Sequence, residues 1–262
     1  MVSFLILFIS NALAITVGEV KDKMGSTFNE RSGKTYKVIS GYLLEMNDFL
    51  QTGEDGAMNI LFLDNTKITL APNTEFLIDE FAFDTTVVPI ELALNVSINV
   101  GTFTYESGEI SKMSGEVAIM TPTASITVQG TAFSGTVDTS GATTITLLPD
   151  SSGRVGEVTV SNDAGSQILT LPYTSVTVIG DDLAPKAPSP LGNNDRKNLF
   201  GLDSVEHDIK DEADKQFDRK ENNEFLENEK EEFESNDLMV SPDGEVEINE
   251  KEAQEIEEQI IS

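Results

Sequence analysis

His207 is the single histidine of this 262-residue chain, and cysteine is absent. Those two facts remove most of the chemistry that side chains perform. A hydrolytic triad needs a base, usually histidine, oriented by a third group beside a nucleophile. His207 stands in an acidic run with no glycine-rich nucleophile turn near it, and it reads as a surface residue. The chain also lacks Cys/His zinc spacing, a glycine-rich phosphate loop opening a helix and an EF-hand loop. Carboxylates are what remains. Asp79 and Glu80 are adjacent in FLIDEFAF, with Asp84 following. Neighbouring strand residues point to opposite faces, so the pair is not expected to act on one substrate. A glycosidase-type dyad built from distant carboxylates stays open, as does weak Ca²⁺ binding at no defined site. The expectation is a protein that is not an enzyme, with no catalytic, cofactor-binding or metal-binding residues.

The segments that would have to position any such group read as strands. From Ile15 to Ile179 the pattern is apolar/polar alternation or short apolar runs bounded by Gly, Asn, Asp and Pro. MNILFLD, KITLA, EFLIDEFAF, VVPIELALNVSINV, EVAIMT, ASITV, AFSGTV, TTITLL, EVTVS, QILTL and SVTVI are the strands so predicted. Thr, Val and Ile dominate them, which suits a pleated, half-buried surface. Turn residues separate them at Asp55-Gly56, Asp64-Asn65, Ser140-Gly141, Ser152-Gly153 and Ala164-Gly165. Only the stretch around Val88 to Val96 could be read with helical periodicity.

Three segments echo one another: GEDGAMNILFLDNTKITL, GEVAIMTPTASITV and GEVTVSNDAGSQILTL. Each runs from Gly and an acid through a strand, a polar turn and a second strand. The recurrence suggests stacked hairpins, though any hairpin-rich protein shows such echoes. The fold class expected is all-β, a stacked-hairpin rolled sandwich or short β-solenoid-like domain, followed by an acidic C-terminal tail. Two sheet edges would need covering, by the N-terminal strand and the segment after Leu183.

Charge divides the chain. The formal net charge is -29, with 20 acidic and 8 basic residues through Gly180 and 26 acidic and 9 basic beyond it. Such a balance argues against nucleic acid, whose phosphates need cations, and against anionic lipid. Without cysteine there is no disulfide framework. Residues Val2 to Ile9 are almost wholly apolar, and Ala12-Leu13-Ala14 is a small-x-small cleavage pattern. Residues 1–14 are therefore expected to be a signal peptide lacking the usual basic start, with a buried N-terminal strand as the alternative. The run is too short to span a bilayer, which takes about 20 residues.

Beyond the β region, residues 181–204 read as a linker, from the prolines of LAPKAPSPLGNN. Residues 205–262 read as an acidic tail with possible helices. Val205, Ile209, Ala213, Phe217 and Phe225 make a thin apolar stripe, and Asn249 with Glu252 a capping box. The tail is either solvated and disordered, a partner-docking arm, or packed on the β domain.

YLLEMNDFLQTGEDGAMNILFLDNTKITLAPNTEFLIDEFAFD, from Tyr42 to Asp84, resembles the FecR domain family. TPTASITVQGTAF, Thr121 to Phe133, fits a later segment of that family, with Gln129 where Arg usually precedes Gly130-Thr131. The resemblance covers Ser40 to Leu148, with an extension towards Ile179. It implies a β-rich fold and an extracytoplasmic habitat. In the best-known members a signal from an outer-membrane transporter crosses one transmembrane helix to a helical domain that controls a sigma factor. No internal membrane helix or preceding helical domain is read here, so that relay is not expected. Loss of the motif's Arg implies loss of a buried or interfacial ion pair.

The function expected is an exported, non-catalytic binding or adaptor module in the periplasm or outside the cell. Its partner would be another protein or an envelope polymer. The alternative is a structural subunit of a surface assembly or phage particle, with self-association.

Overall fold

The computed structural model describes residues 15–192. The expected signal peptide, the end of the linker, the whole acidic tail and His207 lie outside them.

Among the described residues, seventeen strands and one short helix follow in chain order. The first half holds β1 (Thr16–Met24), β2 (Thr27–Arg31), β3 (Lys34–Lys37), β4 (Tyr42–Glu45), β5 (Phe49–Thr52), β6 (Ala57–Phe62), β7 (Lys67–Leu70) and β8 (Glu75–Asp84). A long strand, β9 (Glu91–Glu106), and a one-turn helix, α1 (Glu109–Lys112), stand at the centre. The second half holds β10 (Glu116–Met120), β11 (Ser125–Gln129), β12 (Ala132–Val137), β13 (Thr143–Leu148), β14 (Glu157–Asn162), β15 (Gly165–Leu169), β16 (Thr174–Val178) and β17 (Ser189–Pro190). The stretch around Val88 to Val96 enters strand β9 rather than a helix. Its Val-x-Ile alternation at 96 and 98 buries one face, which is period 2.

The ladders sort into two sheets that share β9. Sheet A runs β4-β1-β6-β7-β9-β12-β13-β16-β17. Sheet B runs β3-β2-β5-β8-β9-β10-β11-β14-β15. The first part of β9 belongs to sheet B and the part from Gly101 to sheet A. Gly101 makes the transfer possible. Its φ is 118°, and a Cβ there would lie 2.3 Å from Thr74 Oγ1. All pairings are antiparallel except β9 with β10, which α1 connects as a crossover.

In the second half, hairpins alternate between the sheets: β10–β11 in B, β12–β13 in A, β14–β15 in B. The expected rolled, stacked-hairpin all-β architecture is therefore what the chain adopts. Each of the three echoing segments is a hairpin, β6–β7, β10–β11 and β14–β15.

Alternation drives the packing. Met58, Ile60 and Phe62 of β6, Ile145 and Leu147 of β13, and Val158 and Val160 of β14 all turn into one core. Burying each such side chain contributes about 1.5–3 kcal/mol before entropy is counted. Phe62 of sheet A stacks on Phe81 of sheet B at 5.7 Å between centroids, so the sheets meet face to face. Phe133 is gripped by Tyr105 and Phe103, at 5.2 and 5.8 Å. Gly135 leaves room for the Phe103 ring, which a Cβ would approach to 2.3 Å. Outward positions of sheet A carry short hydroxyls in register, Thr102, Thr136, Thr144 and Thr177 across four strands. They bond in pairs at 3.3 Å and 3.0 Å.

Two expectations about edges divide. The N-terminal strand β1 covers no edge; it lies inside sheet A between β4 and β6. The segment after Leu183 does cover one, along β16: Lys186 N donates to Thr177 O at 3.0 Å and Leu191 N to Tyr173 O at 2.8 Å. Part of the stretch read as linker is thus an edge strand, because Pro185, Pro188 and Pro190 need donate nothing on the solvent side.

Candidate interaction surface

Carboxylates are the side chains that the sequence leaves as candidates for chemistry. Asp79 and Glu80 both face solvent. A bulge between Ile78 and Glu80 breaks the alternation, which corrects the expectation of opposite faces. Asp79 accepts from Ser97 Oγ at 2.6 Å and Glu80 from Asn95 Nδ2 at 2.6 Å. The two carboxylates sit side by side on a polar outer face, each already engaged by β9. Asp84 is tied into its own turn, accepting from Thr86 N at 2.8 Å and Thr86 Oγ1 at 2.6 Å.

The turn acids share one electrostatic pattern. Hydroxyls of Thr86, Ser140 and Ser152 hold Asp84, Asp138 and Asp150 below the usual carboxylate range, Asp150 at about 2. Groups so held stay ionised at neutral pH, the opposite of a poised general acid. Among the described residues no three His, Cys, Asp or Glu side chains converge as a metal site.

Among the described residues two carboxylates are fully buried, and both are structural. Asp48 receives a two-pronged contact from Arg31, Nε to Oδ1 and Nη2 to Oδ2, each at 2.6 Å. Arg31 also bonds Glu45 and donates to the Leu43 carbonyl at 2.9 Å, with its guanidinium 5.4 Å from the Tyr42 ring centroid. The Asp48 hydrogen bond raises the Arg31 pKa further. Asp64 accepts from Thr66 N (3.0 Å), Thr66 Oγ1 (2.8 Å) and Ile110 N (3.2 Å), and its carbonyl accepts from Glu109 N at 2.7 Å. It joins the β6–β7 turn of the first half to α1 at the entry to the second.

Gln129 ends β11, exposed and opposite Glu157 of β14. An Arg at this position would face Glu157 across the sheet surface, so of the buried or interfacial ion pair expected, the structure sets aside the buried form. The backbone that follows is held by α1-side hydroxyls: Gly130 N donates to Ser111 Oγ at 2.8 Å and Thr131 N to Ser107 Oγ at 3.0 Å.

What remains open is backbone. Four strands end the two sheets; in sheet A, Arg31 occupies the Leu43 carbonyl of β4, and β17 is a two-residue strand ending in proline. Sheet B ends on β3, which pairs with β2 alone, and on β15, which pairs with β14 alone. Both carry exposed apolar side chains, Tyr36 on β3 and Ile168 on β15, the latter 51% exposed. Leu171 beyond β15 is 66% exposed. A shallow cleft of about 350 Å³, lined by Met120, Thr123, Asn162 and Asp181 among others, opens near the β14–β15 turn. Sequence reading anticipated that edges would exist. It could not name them, because strand order depends on pairings far apart in the chain.

Residues 48–155 match the family described as FecR protein. That span bears out the resemblance carried by the Tyr42–Asp84 and Thr121–Phe133 blocks. No curated protein matches the chain significantly. Two crystal structures of a candidate anti-sigma factor from Parabacteroides distasonis ATCC 8503 are similar at 13% and 14% identity, each with a TM-score of 0.44. The matches cover 58% and 61% of this chain, and 64% and 71% of those proteins. At that TM-score the likeness is noted and carries no argument. Among the described residues no helix is long and apolar enough to cross a membrane.

Proposed function

We propose that this chain is an exported, FecR-like, non-catalytic module that acts by binding another protein or an envelope polymer outside the cytoplasm. The observation that carries the reading is the pair of unpaired edges in sheet B, each beside exposed apolar side chains. An unpaired edge offers a row of backbone donors and acceptors to an extended partner. The FecR match over residues 48–155 supports the same reading, as does the use of Asp48, Asp64, Asp79 and Glu80 in internal hydrogen bonds. The apolar start and the Ala12-Leu13-Ala14 pattern support export. The acidic tail serves as spacer or docking arm in this scheme.

The test is cross-linked recovery of tagged, full-length chain from its native host after cell fractionation. The reading expects the protein in the extracytoplasmic fraction and one reproducible cross-linked partner. A cytoplasmic protein that cross-links to nothing would overturn it.

A second reading, a structural subunit of a surface assembly or phage particle, is favoured by one feature. The two open edges sit at opposite ends of one sheet.

A further inference from the structure

We infer that β15 of one copy pairs with β3 of the next, so that copies of this chain join head to tail through sheet B. This goes beyond partner binding and does not depend on it.

Direction is the first argument. Between β3 and β15 lie eight pairings, seven antiparallel and one parallel, the latter between β9 and β10. The two end strands therefore run in opposite senses. A second copy placed by simple translation along the sheet meets β15 with its own β3 antiparallel, the more stable arrangement. No inversion of the copy is needed, and both sandwiches continue in line. Sheet A does not compete. By the same count its end strands, β4 and β17, run in the same sense, and β17 is a two-residue strand ending in proline.

Charge is the second argument. Five of the eight cations before residue 180 fall between positions 21 and 37. Lys34 and Lys37 lie on β3 itself, both exposed, and neither makes an ion pair among the described residues. Lysines on an edge oppose pairing with an identical edge, since like charges would face one another. They do not oppose β15, whose sequence GSQIL has no charge. The β14–β15 hairpin instead carries Glu157 at its start and Asp163 in its turn. The lone nearby lysine, Lys186, bonds through its backbone to β16 on the sheet A side.

Size is the third. β3 has four residues and β15 five, and Tyr36 and Ile168 would add apolar contact to the new ladder. An interface of this kind uses two different patches, and with copies related by translation it gives open chains rather than closed dimers.

The test uses full-length protein, light scattering across a concentration series, and two variants at exposed positions. Ile168→Lys places a cation on β15 opposite the lysines. Lys34→Glu with Lys37→Glu removes the cations that face the β14–β15 acids. Wild type should rise in average mass with concentration and pass the dimer without a plateau. Each variant alone should stay monomeric. Mixed one to one, they should assemble past the dimer again, because the unaltered β3 of one pairs with the unaltered β15 of the other and the swapped charges at the two altered ends attract. A misfolded variant could not complement in this way. Wild type that stays monomeric to its solubility limit overturns the inference. So does assembly that only one of the two variants abolishes, since that would mean pairing of identical edges.

Discussion

Tyr105 brings a hydroxyl into the core that makes no well-formed hydrogen bond, although Ser107 and Thr66 lie beside it. An unsatisfied buried hydroxyl costs about 1–3 kcal/mol. Tyr105→Phe should therefore stabilise the fold by about 1 kcal/mol, a rise in Tm of about 2–4 °C for a domain of this size. The same residue sets a pH effect. Burial pushes its proton affinity up, while in the unfolded chain tyrosine titrates near 10. Above about pH 10 the unfolded chain binds fewer protons than the folded one, so stability falls as pH rises. The contribution is intact below that pH and is lost towards the higher folded value. Urea midpoints from pH 9 to 11 should show a shallower alkaline decline in Tyr105→Phe than in wild type. An unchanged slope would assign the effect elsewhere. Asp64 makes the opposite case, a buried group whose acceptors are all used. Asp64→Asn sets an amide donor against the donors of Thr66 or Ile110, at a cost of about 2–3 kcal/mol. Hydrogen exchange should show faster exchange at Glu109 and Ile110, with β14 and β15 little changed.

At the scale of elements, β9 carries the fold from one sheet to the other, and its bend rests on Gly101. Any side chain there meets both a positive φ and the backbone of Thr74, 2.5 Å from the added Cβ. Gly101→Ala should cost at least about 2–3 kcal/mol, read as a lowered urea midpoint. Gly130→Ala is the control, with positive φ but open space, and should cost less.

Elements also show what could be read from residues alone. β12 and β13 fall where alternation predicts them, at Ala132–Val137 and Thr143–Leu148, since one buried face writes a local pattern. The bulge at Asp79 left no trace, because an extra residue is recognisable only against its partner strand. The prolines after Leu183 looked like a linker because edge pairing asks for a donor only at Lys186 and Leu191. The exposure of Gln129 is not legible in the sequence, because burial at a strand end depends on which strand lies across it.

For the whole molecule, the C-terminal boundary of the β domain has a direct consequence. A chain ending at Gly180 loses β17 and the backbone bonds of Lys186 and Leu191, and leaves the outer edge of β16, away from β13, unpaired. It should unfold at a lower temperature than a chain ending at residue 192 and aggregate more readily, because an unpaired strand edge recruits others. Equal Tm and solubility would show that the proline segment adds nothing to the domain.

The central claim is that contact is made by the edges of sheet B and not by its carboxylates or the hydroxyl face of sheet A. The most direct measurement places a photo-reactive residue in the full-length chain at Ile168 on β15 or, separately, at exposed Thr136 on the outer face of sheet A. Both are irradiated in the native host. The account predicts discrete cross-linked species from position 168 and none from position 136. Cross-links from position 136 with none from 168 would contradict it, and would move recognition to the hydroxyl face.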